Sequence, residues 1–236
     1  MWTRAELKQS AKSALNDTYW SAFFATILAA IFQIGFSDVY NFEKQRNVAA
    51  GMYPFTALWV WRLFPLFALF GILVSNVIQV GLDYYFIRNH YGETQLRNVF
   101  HGFRRGYLNV VGVQFVTNFI VFLWSLLLIV PGIMAGYKYC MVPYLLSENP
   151  EMDGRHAREL SAQMTDGQKW NIFVLDWSFI GWYLLGLLCL IVGVLLVPPY
   201  PCATRAELYL YLRDQHGLKI SADSPEGGNP DAPVEM

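Results

Sequence analysis

Five apolar runs constrain this chain more than any other feature of its sequence. They cover about residues 19–36, 57–82, 108–130, 132–146 and 172–197, and the fourth is short. A helix that crosses the hydrocarbon core of a bilayer needs about 20 mostly apolar residues. The sequence therefore predicts an all-α fold, a polytopic helical membrane bundle with five transmembrane helices.

The composition favours the same interpretation. Only 15% of the 236 residues are charged and 55% are hydrophobic, whereas soluble domains usually carry about 25% charged residues. Aromatic residues make up 17% of the chain, enough to form belts at both water–lipid boundaries. The first run is too long for a signal peptide and no small-residue cleavage site follows it, so we interpret it as an uncleaved anchor. No domain-scale basic excess is present, so nucleic acid is not expected as a partner.

Basic residues are distributed unequally between the segments that join the runs. With the N-terminus inside, the two outer loops contain only Lys44 and Arg46. The cytoplasmic segments contain Arg4, Lys8, Lys12, Arg88, Arg97, Arg104, Arg105, Arg155, Arg158 and Lys169. Because short cytoplasmic loops are enriched in Lys and Arg, we expect a cytoplasmic N-terminus.

Three of the cytoplasmic segments resemble one another, each with a short amphipathic helix before a span. The first has Leu7, Ala11, Ala14 and Leu15 on one face. The corresponding residues are Leu96, Val99, Phe100 and Phe103 in the second segment, and Ala157, Leu160, Ser161 and Met164 in the third. Such helices lie in the headgroup layer of a membrane. Thr3 and Glu6 have the spacing of a capping box at the start of the first helix.

If each of these segments begins a hairpin of two spans, a sixth element follows the fifth span. Residues 200–213 predict a short, partly embedded helix, which returns Arg213 and the C-terminus to the cytoplasm. The alternative is an amphipathic helix outside the membrane, because Arg205 and Glu207 interrupt the apolar pattern. Residues 1–220 then form a single membrane domain, and the acidic, Pro/Gly-rich residues 221–236 form a disordered tail.

Several blocks of sequence carry a family resemblance. They are "RAELKQSAKSAL", "VPGI…YKYCMVPYLLSENP", "MTDGQKW", "SFIGW" and "AELYLYL", in that order. Together they resemble the bacterial integral membrane family known as domain of unknown function 975, itself distantly similar to the membrane domain of some glycerophosphodiester phosphodiesterases. The resemblance implies a multi-pass protein of the bacterial cytoplasmic membrane. It brings no established activity and no functional residues, and Asp176 departs from the family pattern.

Four ionisable residues lie within or near the predicted spans: Arg62, Asp83, Lys138 and Asp176. Arg62 can extend its guanidinium to water, and Asp83 lies at the inner end of its span. Lys138 and Asp176 lie about 13 Å and 7 Å from the inner ends of adjacent spans, at about 1.5 Å per residue. We expect them to form an intramembrane ion pair that locks two helices together. The alternatives are a substrate or proton site, or two residues that reach water separately.

Pro131, Gly132 and Gly136 form a second candidate feature. Gly132 and Gly136 have the GxxxG spacing that allows two helices to approach closely, and Pro131 and Gly132 also suit a turn at a helix start. Polar residues in the spans are expected to form hydrogen bonds between helices: Gln33, Asn76, Gln79, Gln114 and Asn118.

No catalytic, cofactor-binding or metal-binding residues are predicted. The four histidines lie in polar segments without an HExxH motif or a paired carboxylate, and the three cysteines show no CxxC spacing. Glu148, Glu151 and Asp153 form an acidic cluster whose expected role is to start the following helix, with Asp153 as N-cap.

Two functions follow from these features. The first is a non-enzymatic membrane module that binds or organises lipid, such as anionic lipid, or another membrane protein. The alternative is a small transporter or export accessory, because short helices broken by proline and internal repeats occur in transport folds. An intramembrane enzyme has the least support.

Overall fold

The computed structural model describes residues 2–34, 74–103, 106–188 and 196–218, and all regular structure within these ranges is helical. The predicted all-α class is therefore confirmed for the described part of the chain. The helices are α1 (Arg4–Leu15), α2 (Tyr19–Ile34), α3 (residues 74–90), a 3₁₀ helix (Leu96–Phe103), α4 (Tyr107–Leu127), α5 (Ile129–Lys138), α6 (Val142–Glu148), α7 (Gly154–Met164), α8 (Lys169–Trp177), α9 (Ile180–Leu188) and α10 (Pro199–Gln215).

Helix α1 begins with the predicted capping box. The Glu6 backbone N–H donates to Thr3 Oγ1 over 3.2 Å, and the Thr3 N–H donates to Glu6 Oε2 over 3.0 Å. These two bonds use backbone donors that have no partner within the helix. The helix buries Leu7, Ala11 and Leu15 from its predicted apolar face.

Helix α10 lies at the centre of the main hydrophobic core. Its residues Leu208, Tyr209 and Leu212 are fully enclosed, and α1 packs along it. The helix ends in a Schellman motif, in which the Gly217 N–H donates to the Asp214 carbonyl and the Leu218 N–H donates to the Arg213 carbonyl. The segment predicted as a sixth element, residues 200–213, is thus a regular helix that packs in the hydrophobic core.

The second predicted amphipathic segment differs from the other two because it forms a 3₁₀ helix. Residues three apart lie on one face of such a helix, and Val99 and Gly102 are its buried pair. A Cβ atom built on Gly81 of α3 would lie 1.8 Å from the Val99 carbonyl oxygen, so only glycine permits this approach. Leu96, Phe100 and Phe103 of the predicted apolar face are exposed.

The predicted fourth span, residues 132–146, is divided into α5 and α6. Helix α5 ends at Lys138 and α6 starts at Val142, with Pro143 in its first turn. Proline has no N–H to donate, and its ring clashes with the carbonyl four residues earlier, so the helix cannot continue through it. The fifth span is also divided, between α8 and α9, where Ser178 Oγ donates to the Leu175 carbonyl. Such local bonds compete with helical ones.

One helix of the described residues, rather than five, is long and apolar enough to cross a membrane by length and composition. It is α4, with a mean hydropathy of 2.0, and 28% of its most apolar window is buried inside the protein. Much of the predicted second span and residues 189–195 of the fifth lie outside the described residues. The acidic tail and Arg62 also lie outside them.

Candidate functional site: a buried ionic network around the C-terminal helix

Helix α10 carries four charged residues: Glu207 and Arg213 are buried, whereas the side chains of Arg205 and Asp214 are 51% and 73% exposed. Residues four apart on an α-helix lie on the same side, so Arg205, Tyr209 and Arg213 form a stripe along it. Helix propensity is favourable through "ATRAELYLYLR", which has no glycine or proline.

The most enclosed ion pair joins α10 to α6. Arg213 Nη1 donates to Glu148 Oε1 over 2.7 Å, and the side chains are 10% and 1% exposed. Tyr209 donates its hydroxyl hydrogen to Glu148 Oε2, and Arg213 Nη2 donates to the Tyr91 hydroxyl over 2.9 Å. Burial raises the pKa of Glu148, while the bonds from Tyr209 and Arg213 act in the opposite direction. Both charges therefore have partners in a site shielded from solvent.

A second pair joins α10 to the end of α3. His90 Nδ1 lies 2.6 Å from Glu207 Oε1, whose side chain is 8% exposed. This hydrogen bond raises the pKa of His90 above its ordinary value. The expectation that no histidine has a paired carboxylate was therefore wrong, because residues 117 positions apart in the sequence meet here.

Asp176 is paired with Arg205 instead of the predicted Lys138. Arg205 donates from Nε to Asp176 Oδ1 over 3.2 Å and from Nη2 to Oδ2 over 2.8 Å. The Tyr137 hydroxyl donates to the same carboxylate over 3.1 Å. The Lys138 ammonium lies 5.3 Å from the centre of the Tyr139 ring, a cation–π contact.

The backbone of Lys138 has a structural role of its own. Its carbonyl oxygen accepts hydrogen bonds from Ser161 Oγ at 2.9 Å and Thr165 Oγ1 at 3.3 Å. The Met141 N–H donates back to Ser161 Oγ. These bonds join the turn after α5 to α7, so the break in the predicted fourth span has its polar backbone groups satisfied.

Asp83 is a buried carboxylate. It is 3% exposed, and Gln79 Nε2 donates to its Oδ1 over 3.2 Å. Its Oδ2 is buried without a well-formed hydrogen bond, although the nearby Arg205 guanidinium and Tyr144 hydroxyl favour its charged form. Asp83 lies at the end of a predicted span, a position that by itself predicts no functional role.

Pro131 and Gly132 lie in the first turn of α5, and Gly136 follows one turn later. A Cβ atom on Gly132 would lie 2.3 Å from Ser125 Oγ and 2.5 Å from Ser125 Cα in α4. The nearest atom to a Cβ on Gly136 is Val121 Cγ1 at 3.9 Å. Gly132 is therefore the contact that lets α4 and α5 approach, while Gly136 has room to spare.

The predicted polar contacts between helices are present in part. Asn118 Nδ2 donates to Asn76 Oδ1 over 3.4 Å, and Gln114 is buried. The side chain of Gln33 lies outside the described residues. Asp153 caps α7 as expected, because its Oδ2 accepts from the backbone N–H groups of Arg155 and His156.

No group of three or more His, Cys, Asp or Glu side chains in the described ranges has the arrangement of a metal site. Cys140 and Cys202 are free thiols. The described network is a set of ion pairs and hydrogen bonds, and its ion pairs at Glu148, Asp176 and Glu207 each join α10 to another helix.

The sequence did not predict that Arg205, Glu207, Tyr209 and Arg213 would each bind a side chain outside α10. The available signal was the interruption of an apolar segment by charges, which lowered its hydropathy. Arg205 and Arg213 are eight residues apart and therefore lie on one side of the helix. This spacing indicates two cations that face acidic partners on neighbouring helices.

Comparison with known proteins supports the family resemblance over the second half of the chain. The model of a family described as "Protein of unknown function (DUF975)" matches residues 115–216. The matched residues include Glu148, Asp176, Arg205 and Arg213. Searches of curated proteins and of solved structures each found no match.

Proposed function

We propose that this chain is a multi-pass protein of the bacterial cytoplasmic membrane and acts as a non-enzymatic module that binds or organises lipid or a membrane-protein partner. Its N- and C-termini are cytoplasmic in this proposal. The observation that carries it is a large exposed apolar surface on α4, α5 and α9, which we call the apolar belt.

The apolar belt contains large side chains that a soluble protein would bury. Its most exposed members are Leu108, Phe122, Leu126, Leu127, Leu128, Ile129, Val130, Leu184, Leu185 and Leu187, each at least 58% exposed. Helix α4 has 21 residues and spans about 31 Å at 1.5 Å per residue, close to the thickness of the hydrocarbon core. An exposed patch of this extent marks an interaction surface, and acyl chains are the occupant that a helix of this length fits.

The ionic network supports a module rather than a transporter. Arg205, Glu207 and Arg213 are held by partners on α8, α3 and α6, so these charges serve helix packing. A transport site needs polar groups that stay available to a solute, usually near the membrane midplane.

The test of membrane insertion is a pair of arginine substitutions at different depths. Phe119→Arg lies near the middle of α4 and Leu108→Arg lies at its start, and both side chains are more than half exposed. In a bilayer, arginine costs about 2.5–3.5 kcal/mol at a helix centre and much less at the interface. In water, Leu108→Arg stays within about 0.5 kcal/mol of neutral, and Phe119→Arg loses its stacking on Phe115, about 0.5–1.5 kcal/mol.

We expect the wild-type chain to resist alkaline extraction from membranes. In lipid bicelles, we expect Phe119→Arg to lower the free energy of unfolding by about 2 kcal/mol or more relative to Leu108→Arg. Equal, small effects of both substitutions would refute the lipid-facing belt, since depth has no meaning for a protein in water.

Transport remains the second candidate because of Asp83, whose Oδ2 is buried without a well-formed hydrogen bond. An unsatisfied carboxylate inside a bundle is costly and suits binding of a proton or cation. Proteoliposomes with a trapped pH-sensitive dye distinguish the two functions. Proton flux in the wild type that is lost in Asp83→Asn favours transport, and absence of flux in both favours the module.

A further inference from the structure

A groove of about 720 Å³ lies between the start of α1 and the helix α8. Trp2, Arg4 and Lys8 line it from the N-terminal segment, and Trp170 and Val174 line it from α8. Arg4 and Lys8 are four residues apart, so both lie on one side of α1. The groove thus presents two cations on one wall, and on the other wall the apolar Trp170 and Val174 with the polar Asn171 and Ser178.

The two cations have no carboxylate partner among the described residues. The Lys8 ammonium lies 4.6 Å from the centre of the Phe179 ring, which holds it at the groove by a cation–π contact. Burial lowers the pKa of Lys8, and the neighbouring positive charge of Arg4 lowers it further. A bound anion would offset the repulsion between the positive charges of Arg4 and Lys8 and would favour the protonated form of Lys8.

Trp2 lines the groove although its side chain is largely enclosed. It is 7% exposed, and its Nε1 is a buried donor without a hydrogen-bond acceptor among the described residues. Buried indole N–H groups usually have an acceptor. On the other wall, Trp170 is 72% exposed, which is unusual in water and common at a membrane interface.

We propose that this groove binds the phosphate group of an anionic phospholipid in the cytoplasmic leaflet. Arg4 and Lys8 hold the phosphate oxygens through charge-assisted hydrogen bonds, and Trp170 and Val174 contact the glycerol and the upper acyl chain. The inference rests on the proposed membrane location, because the exposed Trp170 and the predicted cytoplasmic side of α1 place the groove at headgroup level. It goes further by naming the ligand class and its binding residues.

The test is a native mass spectrometry titration of the full chain in mild detergent with phosphatidylglycerol, phosphatidylcholine and glycerol 3-phosphate. The main variant is Arg4→Gln/Lys8→Gln. The matched control is Lys12→Gln/Arg97→Gln, which removes the same charge from two exposed residues that do not line the groove.

We expect the wild type to retain phosphatidylglycerol in preference to phosphatidylcholine. The groove variant should weaken phosphatidylglycerol binding by about tenfold or more, and the control should change it less than about twofold. Because Arg4 is exposed, the single variant Arg4→Gln serves if the double variant does not fold. Trp170→Ala should also weaken lipid binding without a change in charge.

Three results would overturn the inference. Equal losses in the groove variant and the control would show a diffuse effect of charge. Equal binding of the two lipids would exclude a preference for an anionic headgroup, and displacement of lipid by glycerol 3-phosphate would identify a soluble phosphate ester as the ligand. Alkaline extraction separates these failures from failure of the proposed function, because a chain that stays in the membrane without headgroup preference contradicts only the groove.

Discussion

The Arg213–Glu148 pair offers a direct measurement of what the ionic network contributes. The substitution Glu148→Gln keeps the shape of the side chain, but its single amide oxygen can accept from only one of the two donors, Arg213 at Oε1 or Tyr209 at Oε2. It removes the negative charge that faces a guanidinium with only 10% of its side chain exposed. The partner charge is then left in a site that water reaches poorly.

The structure sets the size of the effect. Removal of one member of a buried ion pair typically costs about 3–5 kcal/mol, because the remaining charge is uncompensated. Asp214 Oδ1 lies 3.4 Å from Arg213 Nη2, but its side chain is 73% exposed and screened by solvent, so it offsets little of this cost. We expect Glu148→Gln to lower the free energy of unfolding by about 3 kcal/mol, and Arg213→Met to lower it by a similar amount. The double variant should lose less than either single variant, since no charge is then left alone.

The assay is chemical unfolding of the purified protein in mild detergent, followed by circular dichroism. The matched control is the exposed pair Lys169–Asp166, with Asp166 82% exposed, whose double-mutant cycle should give a coupling below about 0.5 kcal/mol. If the losses from Glu148→Gln and Arg213→Met add, or if their coupling is no larger than that of the control, then the pair does not act as a buried unit and the reasoning fails.

Three further features of the fold can each be tested by substitution. Gly132→Ala should lower the free energy of unfolding by about 1–3 kcal/mol because its Cβ would overlap α4. Gly136→Ala is the control and should be tolerated. Equal effects of the two substitutions in thermal unfolding would contradict a close contact between Gly132 and α4. The raised pKa of His90 predicts stability that is fully present below its unfolded pKa of about 6.5 and lost as the pH rises through the folded pKa. Unfolding measured across this range should show the decline in the wild type and not in His90→Gln, and identical profiles would exclude the bond with Glu207 as its cause. Thr3→Ala should cost about 1 kcal/mol through loss of the N-cap, measured by the same unfolding assay, and no change would show that the cap is dispensable.

Local features of this protein could be read from the sequence because their causes are local. The capping box at Thr3 and the N-cap at Asp153 depend on residues within three positions of each other. The apolar length of α4 likewise belongs to one continuous segment, and the helix found at Tyr107–Leu127 agrees closely with the predicted third span. Each of these predictions needed no knowledge of how the helices pack.

The partner of Asp176 could not be predicted in the same way. The sequence positions of Lys138 and Asp176 give only their depth along two helices. They do not give the rotation of each helix about its axis, which decides whether the two side chains face each other. The predicted continuous span also ends at Lys138, and a new helix starts at Val142, so the positions along one helix do not carry over to the next. Arg205 then reaches Asp176 from α10, a helix whose position in the bundle depends on tertiary packing rather than on its own hydropathy.

Helix α10 shows why a hydropathy average misjudges such an element. The average counts each charge of α10 as an independent cost, but Arg205, Glu207 and Arg213 each meet a partner from a different helix, and Arg205 keeps 51% of its side chain exposed. A paired charge is far less costly to bury than an isolated one, so the cost depends on the whole bundle and not on the segment. These charges form contacts between helices and are not available to bind a solute. They therefore favour the function of a membrane module over that of a transporter. Asp83 is the buried carboxylate of the described network that this argument does not cover, because one of its oxygens has no well-formed hydrogen bond. Proton flux through the wild type and Asp83→Asn therefore decides between the two functions, whatever the outcome of the unfolding experiments.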